Sequence, residues 1–147
     1  MIQYLIPSQR GIPEAIVRLP EMSLCMLSAY QEEFTGVDEM SLPQLNDSLI
    51  LGLVKSDTIV AFCIISYNVL AYMITFSCQR GKGFGKTMFL GALSYLHHNT
   101  QIQALTLECQ RSLLPFYERE GARLLPDPPK KYNGEDKLYY PMRINVY

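Results

Sequence analysis

The chain of 147 residues contains no tryptophan, only four cysteines and no apolar run long enough to span a membrane. Each shortage narrows what it can be. Cys25, Cys63, Cys78 and Cys109 are widely spaced, with no Cys-x-x-Cys pair and no neighbouring histidine cluster, so no metal site is expected. Free thiols in a reducing cytosol fit best. A bilayer span takes ~18 or more apolar residues, and Pro7 and Arg10 stand where a secretory signal would need its apolar core. A cytoplasmic protein with no membrane role is expected. Net charge is scarce as well: 13 basic residues against 14 acidic ones leave no surplus for the basic face that nucleic acid would require.

What is present is a hydrophobic content of 48%, enough for one substantial core in a chain the size of a single domain, here residues 1–147. Met1 to Ile6 reads as a strand closed by Pro7. Ile12 to Phe34 reads as helix in two pieces, broken or restarted at Pro20, and Gly36 and Asp38 then open a polar loop. Leu49–Val54, Ile59–Tyr67 and Val69–Phe76 are β-rich runs with hardly any chain between them, which predicts an antiparallel meander because parallel neighbours need a long crossover.

Beyond a glycine cluster, Phe84, Met88, Phe89, Ala92, Leu93 and Leu96 recur at helical spacing up to Asn99 and Thr100. Ile102 to Leu107 is the next strand, and the helix before it permits a parallel, right-handed crossover. Ser112 is the predicted cap of a helix reaching Glu120, with Pro115 in its first turn and Gly121 at its end. A short strand from Ala122 to Leu125, a loop over 126–136 and a last strand from Lys137 to Val146 complete the chain. The sum is an α/β (α+β) fold, a mixed and mostly antiparallel sheet of about seven strands flanked by about four helices.

The segment Arg80-Gly81-Lys82-Gly83-Phe84-Gly85-Lys86-Thr87 carries the strongest chemical signal. A Walker A loop is excluded by spacing, because Arg80 holds the place of the first glycine. A dinucleotide fingerprint beginning at Gly83 is excluded because Met88 holds the third glycine position. Glycines at 81, 83 and 85 allow several backbone N–H groups to turn toward one anion at a helix start, and Arg80 and Lys86 add positive charge.

Arg80, Gly83 and Gly85 fit the pattern Arg/Gln-x-x-Gly-x-Gly/Ala, and Phe116-Tyr117-Glu118 precedes Gly121. On these motifs, and on the element order along most of its length, the chain resembles the GNAT acyltransferases. The resemblance implies a sheet splayed at its two central strands and a pyrophosphate of acetyl-CoA held by Arg80, Gly81, Lys82, Gly83, Phe84, Gly85 and Lys86. It also implies pantetheine bonded to the backbone of Ile74, Thr75 and Phe76, and CoA contacted by Gln110, where the family often has Asn. Tyr117 would face the sulfur as acid toward the departing thiolate.

An amine acceptor needs a base, for which Glu108 at the end of the strand after the helix is the leading candidate; Glu32 and Glu33 are lesser ones. His97 and His98 lie at the far end of the long helix and carry no expected chemistry. Lys130, Lys131, Tyr132, Glu135 and Asp136 belong to the loop expected over the acceptor side. The activity implied is direct N-acetyl transfer to a small-molecule amine or to a peptide or protein amine, by a monomer or homodimer. A non-catalytic CoA-binding module of the same fold and a toxin acetylating aminoacyl-tRNA are the alternatives.

Overall fold

The structure is a computed structural model and describes residues 3–6, 14–34, 40–131 and 137–146. Its strands are β1 (Gln3–Ile6), β2 (Glu14–Leu19), β3 (Leu49–Lys55), β4 (Thr58–Ser66), β5 (Val69–Thr75), β6 (Ala104–Gln110), β7 (Arg123–Leu124), β8 (Lys130–Lys131) and β9 (Leu138–Asn145). The helices are α1 (Leu24–Phe34), α2 (Leu42–Asp47), α3 (Phe84–Asn99) and α4 (Leu114–Arg119). One sheet runs in the order β1-β2-β3-β4-β5-β6-β9-β7, with β8 added on β9. Every pairing is antiparallel except β5 with β6, which the α3 crossover makes parallel.

The strand period of two divides the sheet into two buried faces. Leu51, Leu53, Cys63, Ile65, Leu105 and Leu107 meet Phe84, Met88, Phe89, Ala92 and Leu96 of α3 on one side. Ile50, Phe62, Ile64 and Ile74 meet Met22, Met26 and Tyr30 from the α1 region and Leu45 of α2 on the other. Covered on both sides, β4 reads as the unbroken run Val60–Ile65, all of it buried. Ser56 and Asp57 both take left-handed φ values, 51° and 62°, in the two-residue turn that twists β3 into β4.

The meander, the long helix and the last strand match the sequence expectations, but the segment before Pro20 does not. Residues 14–19 form a strand, with Ile16 opposite both Tyr4 and Leu53. The run is too short for apolar spacing to separate the two periods, and the β-branched pair Ile16 and Val17 is better suited to a pleated surface covered on both sides. Both are fully buried, at 0% and 1% exposure. Within the expected polar loop lies α2, opened by a capping box: Gln44 N–H donates to Ser41 Oγ at 3.4 Å, and Ser41 N–H donates to Gln44 Oε1 at 2.7 Å.

Ser112 does not cap α4. A 3-10 turn over Arg111–Leu113 comes first, leaving Leu113 at the cap without a side-chain bond, while Pro115 sits in the first turn and Gly121 has φ 102° as expected. Among the described residues nine strands are seen instead of about seven, because β2 and the short β8 were not expected. No helix among the described residues is long and apolar enough to cross a membrane.

Cys63 and Cys109 are buried, and burial pushes their thiols up to about 12 and about 11, whereas Cys25 and Cys78 are exposed. A thiolate-specific reagent at neutral pH should therefore label Cys25 and Cys78 in the native protein, and Cys63 and Cys109 only after unfolding. Peptide mapping of the labelled chain checks this.

Candidate active site

The site is set by a parting of strands. β5 and β6 pair only at Val69 with Thr106 and Leu70 with Leu107. At the same level the β4–β5 register shifts, with Leu70 opposite Ile65 and Tyr72 opposite Ile64, so that Ala71 is the extra residue of a bulge. A bulge bends and twists its strand, and here it carries β5 away from β6. Glu108 is the first β6 residue past the last pair, at the vertex of the gap.

Backbone polarity along the gap follows from the β4–β5 ladder. Phe76 N–H donates to Val60 O at 3.2 Å, and its own carbonyl accepts from Gln79 N–H at 2.8 Å. Bonded and non-bonded pairs alternate along an antiparallel ladder, so Ile74 also directs its backbone groups to β4, while Met73 and Thr75 turn theirs into the gap. This corrects the expectation for Ile74 and Phe76, whose amides are already used, and adds Met73, which sequence alone did not suggest. Thr75 O accepts from Arg80 Nε at 3.3 Å, leaving the Thr75 N–H facing the gap.

At the far end of the gap the chain turns through the glycine segment into α3. Gly81 and Gly83 hold φ values of 77° and 81°, and a side chain at either would meet nothing within 4 Å, so their conformation is the reason for glycine here. Thr87 N–H bonds Gly83 O at 3.3 Å as the first helical bond, which leaves the amides of Phe84, Gly85 and Lys86 without helical acceptors. They stand at the positive end of a helix of 16 residues. The surrounding cations have internal partners: Arg80 pairs with Glu33 of α1, Lys86 Nζ lies 3.6 Å from Glu120 Oε1, and Lys82 Nζ donates to Gln79 Oε1 at 3.2 Å. Glu33, a lesser base candidate, is thus engaged by Arg80, while Glu32 lines a cleft of about 360 Å³ with Thr75, Ser77 and Arg80.

Tyr117 comes from α4, on the α3 side of the sheet, and is only 7% exposed. It stands edge-on to Phe89 and Phe116, with ring centroids 5.2 and 5.0 Å away. Burial, reinforced by Cys109 and Cys63 nearby, holds its phenol well above the usual tyrosine range. Across the sheet, Glu108 Oε2 lies 3.5 Å from Lys130 Nζ of β8, and Tyr30 donates to the Tyr72 oxygen at 3.3 Å while accepting from Met40 N–H at 2.8 Å.

The sheet therefore brings Glu108 and Tyr72 to the vertex on one face and Tyr117 against Cys109 on the other, with the glycine amides at the open end. Gln110 is half-buried at the end of β6, and Tyr139 lies opposite it on β9. The tyrosine pair was not anticipated; only the alternation of Tyr72 with Met73 along β5 could have indicated its face. His97 and His98 are exposed at the last turn of α3. Of the expected acceptor loop, Tyr132, Glu135 and Asp136 lie outside the described residues.

The sequence matches no protein-family model and no curated protein. Solved structures do match. Spermidine N-acetyltransferase from Vibrio cholerae, in complex with CoA and spermine, aligns over 90% of this chain and 95% of its own at 14% identity, with a TM-score of 0.68. The ribosomal-protein-S18-alanine N-acetyltransferase from Escherichia coli aligns over 90% and 94% at 14% identity, with a TM-score of 0.61. A Desulfovibrio desulfuricans protein described as a GNAT-family acetyltransferase aligns over 91% and 99% at 15% identity, with a TM-score of 0.64. The fold is that of the GNAT acyltransferases.

Gly83→Ala should cost ~1–2 kcal/mol, because a left-handed residue acquires a Cβ there. Gly85→Ala, which would put a Cβ 3.8 Å from Thr75 Oγ1 in ordinary contact, should leave stability equal or higher. Urea midpoints of the two variants measure the contrast.

Proposed function

We propose that the chain is a single-domain, cytoplasmic N-acyltransferase that moves an acetyl group from acetyl-CoA directly to a primary amine. The observation that carries this reading is the gap between β5 and β6, with inward amides along one side and unbonded helix amides at its open end. An extended pantetheine arm fits such an edge as an added strand, and a diphosphate suits the start of α3. Arg80, Lys82 and Lys86 would exchange their internal partners for phosphate oxygens.

With the thioester at the vertex, Glu108 takes the proton from the incoming ammonium, directly or through a water. The amine attacks the carbonyl carbon, and an inward N–H of β5 stabilises the oxyanion. As the C–S bond breaks, Tyr117 supplies a hydrogen bond or proton to the sulfur. A raised phenol favours the hydrogen-bonding role and keeps the donor form at all physiological pH. The two buried thiols, held protonated, supply no acyl-accepting thiolate on the α3 side of the sheet. The spermine in one matching structure and the ribosomal protein named for another make polyamines and protein N-termini the first acceptors to try.

Calorimetry with CoA and thiol release from acetyl-CoA over an amine panel test the proposal. Tyr117→Phe and Glu108→Gln should each lower kcat by ~10²-fold or more with little effect on CoA affinity. Because burial raises the phenol, the wild-type rate should show no alkaline fall from Tyr117 at the ordinary ~10 of a free tyrosine. CoA binding without turnover on any amine would favour the non-catalytic module.

A further inference from the structure

The acceptor side of the gap already holds a primary amine. Lys130 of β8 lies opposite Tyr139, which in turn lies opposite Gln110 of β6. From that row the Lys130 side chain reaches diagonally to Glu108, two residues back along β6, with Nζ 3.5 Å from Oε2. Its side chain is 65% exposed and that of Glu108 28%, so the carboxylate is the more sheltered partner of the pair.

We propose that Lys130 is itself an acetyl acceptor, modified in cis by the chain that carries it. The proposal rests on the acyl-transfer reading above. Glu108 takes a proton from the Lys130 ammonium, and Nζ attacks the thioester carbonyl to form the C–N bond. The C–S bond then breaks, and the thiolate is protonated with the help of Tyr117. The products are Nζ-acetyl-Lys130, CoA thiol and one proton, with no other reactant. The neutral amide no longer forms an ion pair with the Glu108 carboxylate.

Lys86 provides an internal control. Its Nζ is 3.6 Å from Glu120, a separation like that of Lys130 from Glu108, but the pair stands at the α3 start and not at the vertex. Nearness to a carboxylate alone would label both lysines.

The test incubates the intact protein with acetyl-CoA at neutral pH and follows acetylation by intact mass and peptide mapping. The expected result is one acetyl group on Lys130, with a first-order rate independent of protein concentration and Lys86 unlabelled. Lys130→Arg keeps the charge facing Glu108 and should lose the label; Glu108→Gln should slow labelling ~10²-fold. Equal labelling of several lysines, a rate that rises with protein concentration, or turnover of free amines with Lys130 unmodified would overturn this proposal alone. Failure to bind CoA at all would overturn the acyl-transfer reading with it.

Discussion

Two strands that start as hydrogen-bonded neighbours and then separate are the constraint on which this molecule's chemistry depends. β5 and β6 pair over two residues each and then diverge at the Ala71 bulge. Exposed backbone in the middle of a sheet is costly unless a ligand satisfies it. The arrangement is held open from both faces. Ile74 is locked under α1, while Leu105, Leu107 and Cys109 anchor β6 beneath α3. Leu70 and Met73 tie β5 to that α3-side core as well, so closing the gap would displace side chains packed on both faces.

The same packing sets out the chemical groups. The strand period of two places Glu108 and Cys109 on opposite faces of β6. In the proposed reaction, a base at the vertex and a phenol beneath the sheet would approach the gap from opposite sides. The glycine segment adds amides whose hydrogen-bonding capacity no helix carbonyl uses. The charged groups around the gap pair across long sequence distances, Arg80 with Glu33 and Lys130 with Glu108, and these contacts join α1 and β8 to the site.

Much of the fold was legible because its signals are long and redundant. α3 repeats its apolar spacing over 16 residues, and β3, β4 and β5 follow one another too closely to be parallel. β2 was not legible as a strand: six residues with Ala15, Ile16 and Val17 in succession satisfy either period, and only pairing with β1 and β3 decides. The capping box at Ser41 and Gln44 was readable and would have announced α2. At the site, the glycine segment and Tyr117 are visible as motifs. Which β5 amides face the gap depends on a ladder register that no local pattern specifies, and the partners of Arg80 and Glu108 are fixed by tertiary packing alone.

Backbone amide exchange measured by NMR with and without CoA tests the central claim most directly. The account predicts slowed exchange at Met73, Thr75, Phe84, Gly85 and Lys86, with Phe76, already bonded to Val60, nearly unchanged. Exchange at the gap and glycine amides that is identical in the presence of saturating CoA would contradict it.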